Sequence, residues 1–167
     1  MSIYRFAMIT VSDKGSRGER VDTAGPACCK MLETMGFEKA YTAIVADEKT
    51  DIQREVLKSC DELDIPLVFT CGGTGFSKRD VTPEAVTELF DRQAPGFAEA
   101  MRYESFKITP KAVLSRAVSG LRGESIIITL PGSEKSASEN LAVIIPALKH
   151  GIEMVKSEGS ANCGETK

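Results

Sequence analysis

The chain has 167 residues, close to one domain at roughly 150 residues per domain, and at this length about 70% of the extended chain's surface is buried on folding. Its 42% hydrophobic and 27% charged residues are ordinary for a globular protein and exclude intrinsic disorder, collagen and a disulfide mini-scaffold. A net charge of -3 and the lack of any apolar run near ~18 residues point away from nucleic acid and from a membrane span.

Tyr4 to Val11 is apolar and β-rich, as a strand buried on both faces would be. Met1 to Val11 lacks the basic start and small-residue cleavage site of a leader, so we expect a structural N-terminus and a cytoplasmic protein. Ser12 to Gly18 reads as a loop. A helix follows from Thr23, with Pro26 in its first turn and Gly36 as its stop. A second strand spans about Ala40 to Val45. Thr50 then caps a helix whose Ile52, Val56, Cys60 and Leu63 share one face. A third strand, Pro66 to Thr70, runs into Cys71-Gly72-Gly73-Thr74-Gly75.

In the second half, Thr82-Pro83-Glu84-Ala85 reads as an N-cap, a proline at the first helical position and an acid in the first turn. Ala94-Pro95-Gly96 breaks that helix, another follows to about Phe106, and a short one runs from Thr109-Pro110 to about Leu114. Ser125 to Leu130 is the clearest strand. A last helix from about Ser136 to Val155 presents Leu141, Ile144, Ile145, Leu148 and Ile152 to the core. The alternation predicts an α/β fold, a single doubly wound domain over residues 1–157 with a mostly parallel sheet flanked by helices. Residues 158–167 form a polar tail expected to be disordered.

The five cysteines, Cys28, Cys29, Cys60, Cys71 and Cys163, contain no C-x-x-C pair, which fits a reducing compartment. Cys28, Cys29 and Cys60 fall in helical patterns and read as small core residues. One histidine, His150, rules out multi-histidine zinc sites. The chemistry is therefore left to carboxylates, backbone amides, hydroxyls and cations.

In an open parallel sheet, ligands sit beyond the carboxyl ends of the strands. The loops there carry Ser12-Asp13, Asp47-Glu48, Gly72 to Asp80 and Pro131 to Ser138. Gly72, Gly73 and Gly75 allow backbone amides to approach an anion, Thr74 adds a hydroxyl, and Lys78 and Arg79 add positive charge. Neither a Walker A loop nor a dinucleotide fingerprint is present. On composition alone the same loop reads equally well as a tight turn. Asp47 and Asp80 are predicted at one sheet edge. At ~6 Å and an effective dielectric of ~20 their repulsion would be about 3 kcal/mol, which a divalent cation would relieve. They fit as well a turn acid and a helix N-terminal acid. Ser133, with Lys135, Ser136 and Ser138, forms either a second anion-binding turn or a plain helix cap.

The run Gly72-Gly73-Thr74-Gly75-Phe76-Ser77-Lys78-Arg79-Asp80-Val81-Thr82-Pro83-Glu84-Ala85 resembles the G-G-T-G-x-x-x-R-D-x-T-P-E-A signature of the molybdopterin adenylyltransferases of molybdenum cofactor biosynthesis, the family that includes the gephyrin G domain. The likeness continues at Thr10-Val11-Ser12-Asp13, Val45-Ala46-Asp47-Glu48, Pro95-Gly96-Phe97, Leu114-Ser115-Arg116 and Leu130-Pro131-Gly132. It implies a molybdenum cofactor biosynthesis protein-like fold and transfer of AMP from ATP to the terminal phosphate of molybdopterin, with Mg²⁺ as cofactor and release of pyrophosphate. The family's two essential acids match Asp47 and Asp80, implied to be catalytic and to hold the metal. Gly72, Gly73, Thr74, Gly75, Lys78 and Arg79 would bind phosphates. Ser12 and Asp13 would line the site, and Ser115, Pro131 and Gly132 would help bind pterin or nucleotide; Ser133 joins the expected binding residues through its own anion-binding turn. A homotrimer and a downstream molybdenum insertase are the implied partners.

Two positions depart from the family pattern: Ala46 stands where proline is frequent, and Ser133-Glu134 where Asn-Pro is frequent. Two other readings stand beside this one. A non-catalytic molybdopterin-binding carrier of the same fold would bind pterin without turning over ATP. An insertase-type enzyme is disfavoured by the R-D-x-T-P-E-A stretch and by chain length.

Overall fold

The structure is a computed structural model that describes residues 4–157. The expected tail, 158–167, and Cys163 lie outside the described residues. In chain order the elements are β1 (Arg5–Val11), α1 (Asp13–Ser16), α2 (Ala24–Thr34), β2 (Glu38–Val45), α3 (Lys49–Leu57), β3 (Leu67–Cys71), α4 (Thr82–Thr87), β4 (Arg92–Gln93), α5 (Gly96–Ile108), β5 (Ser119–Arg122), β6 (Ser125–Leu130) and α6 (Glu134–Lys156). A π-helical turn, Lys58–Glu62, extends α3, and a 3-10 helix, Pro110–Leu114, follows α5.

The strands pair in the order β2-β1-β3-β6-β5-β4. The first four run parallel, and β5 and β4 are antiparallel additions at the edge. Every residue of β3 and β6 is buried, because helices cover both faces; this is why those strands read as continuous rather than alternating apolar runs. Along β3 the side chains alternate between two cores. Leu67, Phe69 and Cys71 face the layer of α2, α5 and α6, with Leu32, Met101, Leu141 and Leu148. Val68 faces the layer of α3 and α4, with Ile52, Val56, Ala85 and Val86. Among the described residues no helix is long and apolar enough to cross a membrane.

Several expectations need correction. Ser12 to Gly18 contains a single helical turn, capped by the Ser12 hydroxyl, which accepts from Gly15 N at 3.0 Å. Helix α3 starts at Lys49 with extended Glu48 at the cap position, so Thr50 lies inside the helix. Leu63 is 36% exposed instead of buried: the π turn needs an extra residue, which rotates Leu63 off the Ile52–Val56–Cys60 face and gives its place to Ile65. Thr82 is the first residue of α4, not its cap; Val81 holds that position. Helix α6 begins two residues earlier than read, and Ser133 caps it by accepting from Ser136 N at 3.2 Å. The hairpin of β5 and β6, turning through Gly123 at φ +52°, and the short β4 are additions to the predicted elements.

Candidate active site

The register sets the site. Thr10 of β1 is level with Cys71 of β3, and Cys71 with Leu130 of β6, so the three strands deliver Ser12, Gly72 and Pro131 to one edge. The chain runs from β1 to β2 on one side and then crosses back to place β3 on the other side of β1. This reversal opens the crevice in which open α/β sheets hold ligands.

Gly72 sits at φ +115°, a conformation that side chains rarely adopt, and a Cβ there would strike the Val11 carbonyl oxygen. Its N–H donates to Leu130 O at 3.0 Å, tying the ends of β3 and β6 together. Gly73, at φ +66°, accepts from Thr82 N at 3.1 Å. Arg116 staples the rest of the loop. Its backbone N donates to Thr74 O at 2.9 Å and its Nε to Gly75 O at 2.7 Å, while its terminal nitrogens reach Asp80 O and the Glu84 carboxylate.

The acids are organised around this loop. Asp13 and Asp47 exchange bonds: Asp13 N donates to Asp47 Oδ2 at 2.8 Å, and Asp47 N to Asp13 Oδ1 at 3.0 Å. Arg79 grips Asp13 with Nε and Nη2 at 3.0 and 2.9 Å and pairs with Glu48 at 2.7 Å. This guanidinium holds the Asp13 carboxyl below the usual carboxylate range. The Asp47 carboxyl is pushed the other way, first by desolvation and then by the negative charges of Asp13 and Asp80. Asp80 Oδ2 accepts from Ser77 N at 2.8 Å, closing a turn within the loop.

Two cavities meet here. One, of about 410 Å³, is lined by Ser12, Asp22, Asp47, Gly72, Gly73, Asp80, Gly132, Ser133 and Glu134, with Arg20 its basic residue. The other, of about 440 Å³, is lined by Gly73, Thr74, Gly75, Asp80, Ser115, Pro131 and Gly132, together with Arg102, Lys111 and Asn140. Both volumes are typical of small-molecule sites. Gly73, Asp80 and Gly132 belong to both, and a Cβ on Gly132 would lie 3.3 Å from Gly72 Cα.

The fold thus brings Asp47 and Asp80 to one cavity, and the two cavities together take in most of the expected binding residues. Asp13, Lys78 and Arg79 line neither cavity, and the Arg79 cation is taken up by two acids of the protein. Ser133 lines the first cavity while its hydroxyl caps α6. Sequence reasoning missed Arg102, Lys111 and Asn140, which reach the second cavity from α5, the 3-10 helix and α6. An i, i+4 reading of α6 offered a signal only for Asn140: buried among its apolar neighbours, it donates to Ser136 O and Ser105 Oγ. Among the described residues no group of three or more His, Cys, Asp or Glu forms an all-protein metal cage. Asp47 and Asp80, two of the four carboxylates that line the first cavity, fit as donors for Mg²⁺, which is held by one or two carboxylates and completed by substrate phosphates.

A family model described as "Probable molybdopterin binding domain" matches residues 7–150. The chain is 38% identical over 157 residues to the molybdopterin adenylyltransferase of Helicobacter pylori, covering 93% of this chain and 89% of that protein. It is 38% identical over 159 residues to the Escherichia coli protein of the same name, covering 91% and 81%. The crystal structure of the molybdopterin biosynthesis enzyme MoaB from Thermus thermophilus superposes with a TM-score of 0.87 at 45% identity, covering 91% of this chain and 96% of that one.

Proposed function

The chain belongs to the molybdopterin binding domain family, and from that membership we infer that it acts in molybdenum cofactor biosynthesis as a molybdopterin adenylyltransferase, transferring AMP from ATP to molybdopterin. The observation that carries the reading is the junction of two cavities at Gly73, Asp80 and Gly132, one acidic and one lined by Arg102 and Lys111. Two phosphate-bearing substrates can meet across the wall that these cavities share.

In this reading the acidic chamber takes the ATP phosphates and the other takes molybdopterin. Asp47 and Asp80 would hold Mg²⁺, which when bound supplies positive charge to the nucleotide phosphates. The amides of the glycine loop orient phosphate oxygens and stabilise charge that develops on them. An oxygen of the molybdopterin phosphate forms the new bond to the α-phosphorus as the bond to the β-phosphate bridging oxygen breaks, and pyrophosphate leaves with that electron pair. No general base is required, since a phosphate monoester is largely ionised near pH 7. Arg79, engaged with Asp13 and Glu48, acts by locking the Ser12–Asp13 turn against the Asp47 loop. A homotrimer, a cytoplasmic setting and an insertase that consumes the product complete the proposal.

The test is pyrophosphate release from ATP and Mg²⁺ with and without molybdopterin, with Asp47→Asn and Asp80→Asn alongside. Release that requires molybdopterin and disappears in both variants is expected. Tight molybdopterin binding with no release would replace the enzyme by the carrier reading, which the engagement of Arg79 by protein acids also favours.

A further inference from the structure

Thr82 is fully buried, and its Oγ1 has no hydrogen-bond partner. A buried hydroxyl without a partner is disfavoured, and valine would fill the same space without that cost. The hydroxyl does not cap α4, whose cap position is Val81. It lies on the inner side of Gly73, whose carbonyl oxygen accepts from Thr82 N at 3.1 Å. A Cβ on Gly73 would collide with Thr82 Oγ1 and stand 3.1 Å from Asp47 Oδ1, so the missing side chain leaves both oxygens facing one small space. Asp47 Oδ2 is fixed by Asp13 N, and Oδ1 is the oxygen turned toward that space.

We propose that Thr82 is a positioning residue for Asp47: its hydroxyl donates to Oδ1 across the space beside Gly73, so that the carboxylate is held at both oxygens when it meets its ligand. This hydrogen bond fixes the carboxylate plane, which an amide on Oδ2 alone leaves free to turn. The inference rests on the role given to Asp47 in the adenylyltransferase reading.

The test compares Thr82→Val, which keeps the shape and loses the hydroxyl, with Thr82→Ser, which keeps the hydroxyl and loses a methyl group. Thr82→Val is expected to melt at or above the parent temperature while kcat for molybdopterin adenylylation falls about tenfold to a hundredfold, the loss that follows removal of a hydrogen bond to a charged group, with KM for molybdopterin unchanged. Thr82→Ser is expected to melt lower and to keep kcat within about threefold of the parent. Mn²⁺ binding, followed by its paramagnetic signal, gives a readout that needs no turnover and is expected to weaken in the valine variant alone. Valine and parent proteins with equal kcat and equal Mn²⁺ affinity would overturn the proposal, as would equal losses in the valine and serine variants. A parent that binds Mn²⁺ but never adenylylates molybdopterin would overturn the functional reading instead, and Thr82 would then stand or fall on the Mn²⁺ comparison.

Discussion

Replacing Arg116 by alanine should both destabilise the protein and disable it. The guanidinium donates to Gly75 O at 2.7 Å and to Asp80 O, and pairs with Glu84. Its side chain is 31% exposed and that of Glu84 is 52% exposed, so the ion pair is discounted to below about 1 kcal/mol. The two bonds to carbonyl oxygens contribute about 1 kcal/mol each or slightly more, because the donor is charged. The expected loss is about 2–3 kcal/mol, or roughly 5–10 °C in melting temperature for a domain of this size. Urea unfolding should show a lower midpoint at an unchanged slope. The backbone bond from Arg116 N to Thr74 O survives the substitution, so the loop should remain in place but loosen around Asp80, and kcat should fall more than tenfold. Arg116→Lys, able to reach one acceptor at a time, should fall between the two. An alanine variant that melts within about 1 °C of the parent and adenylylates at the parent rate would refute the stapling argument.

Gly72→Ala should lose about 2 kcal/mol or more, from its φ of +115° and the collision with Val11 O, whereas Gly18→Ala, at φ +73° with nothing within 4 Å, should lose only the smaller conformational cost; paired thermal melts separate the two. Burial pushes the Cys29 and Cys60 thiols up to about 11, and Cys71 is raised by its hydrogen bond with Cys28 and then by burial, so these three should resist an aromatic disulfide reagent at pH 8 until denaturant is added, as read by mass spectrometry of the labelled peptides; the same bond lowers Cys28, which is shielded by its burial alone. The Arg122 guanidinium holds the Asp61 carboxyl below its usual range. A carboxyl lowered in the folded state contributes stability above its unfolded pKa of ~3.9 and loses it as pH falls through the lower folded value. Asp61→Asn should therefore be less stable than the parent at pH 7, by under about 1 kcal/mol, and the two unfolding curves should converge as the pH falls through the lowered folded value.

The central strands were legible because burial on both faces demands uninterrupted apolar residues, as in Ile126-Ile127-Ile128. Strand β5, Ser119–Arg122, was not: Ser-Gly-Leu-Arg has no such run, and pairing with β6 through a tight hairpin creates it. The π turn was hidden for a similar reason, since Ile52, Val56, Cys60 and Leu63 fit an ideal α-helix and only packing reveals the extra residue. Caps were misread by one or two positions, as with Glu48 against Thr50 and Val81 against Thr82, and the start of α6 was read two residues late. At the site, glycine spacing and two loop acids could be read directly. The reciprocal Asp13–Asp47 bonds, the Arg116 staple and the cations Arg102 and Lys111 arise from contacts between segments far apart in sequence, which carry no local signal.

Strand β6 is the last strand among the described residues and yet lies in the middle of the sheet, between β3 and β5. Until it docks, β3 has an open edge on the side where Leu67 to Cys71 will pair, and the Gly72 amide has no Leu130 carbonyl to meet. During synthesis, a chain that ends before about residue 125 is therefore an incomplete sheet with an apolar, pairing-competent strand exposed, the state most exposed to aggregation. Both chambers also lack Gly132 until then, so substrate can be captured only by a chain whose sheet is complete. Ligand binding is in this way tied to global rather than local folding, and its stabilisation, growing as the logarithm of ligand concentration over the dissociation constant, falls on the whole domain at once.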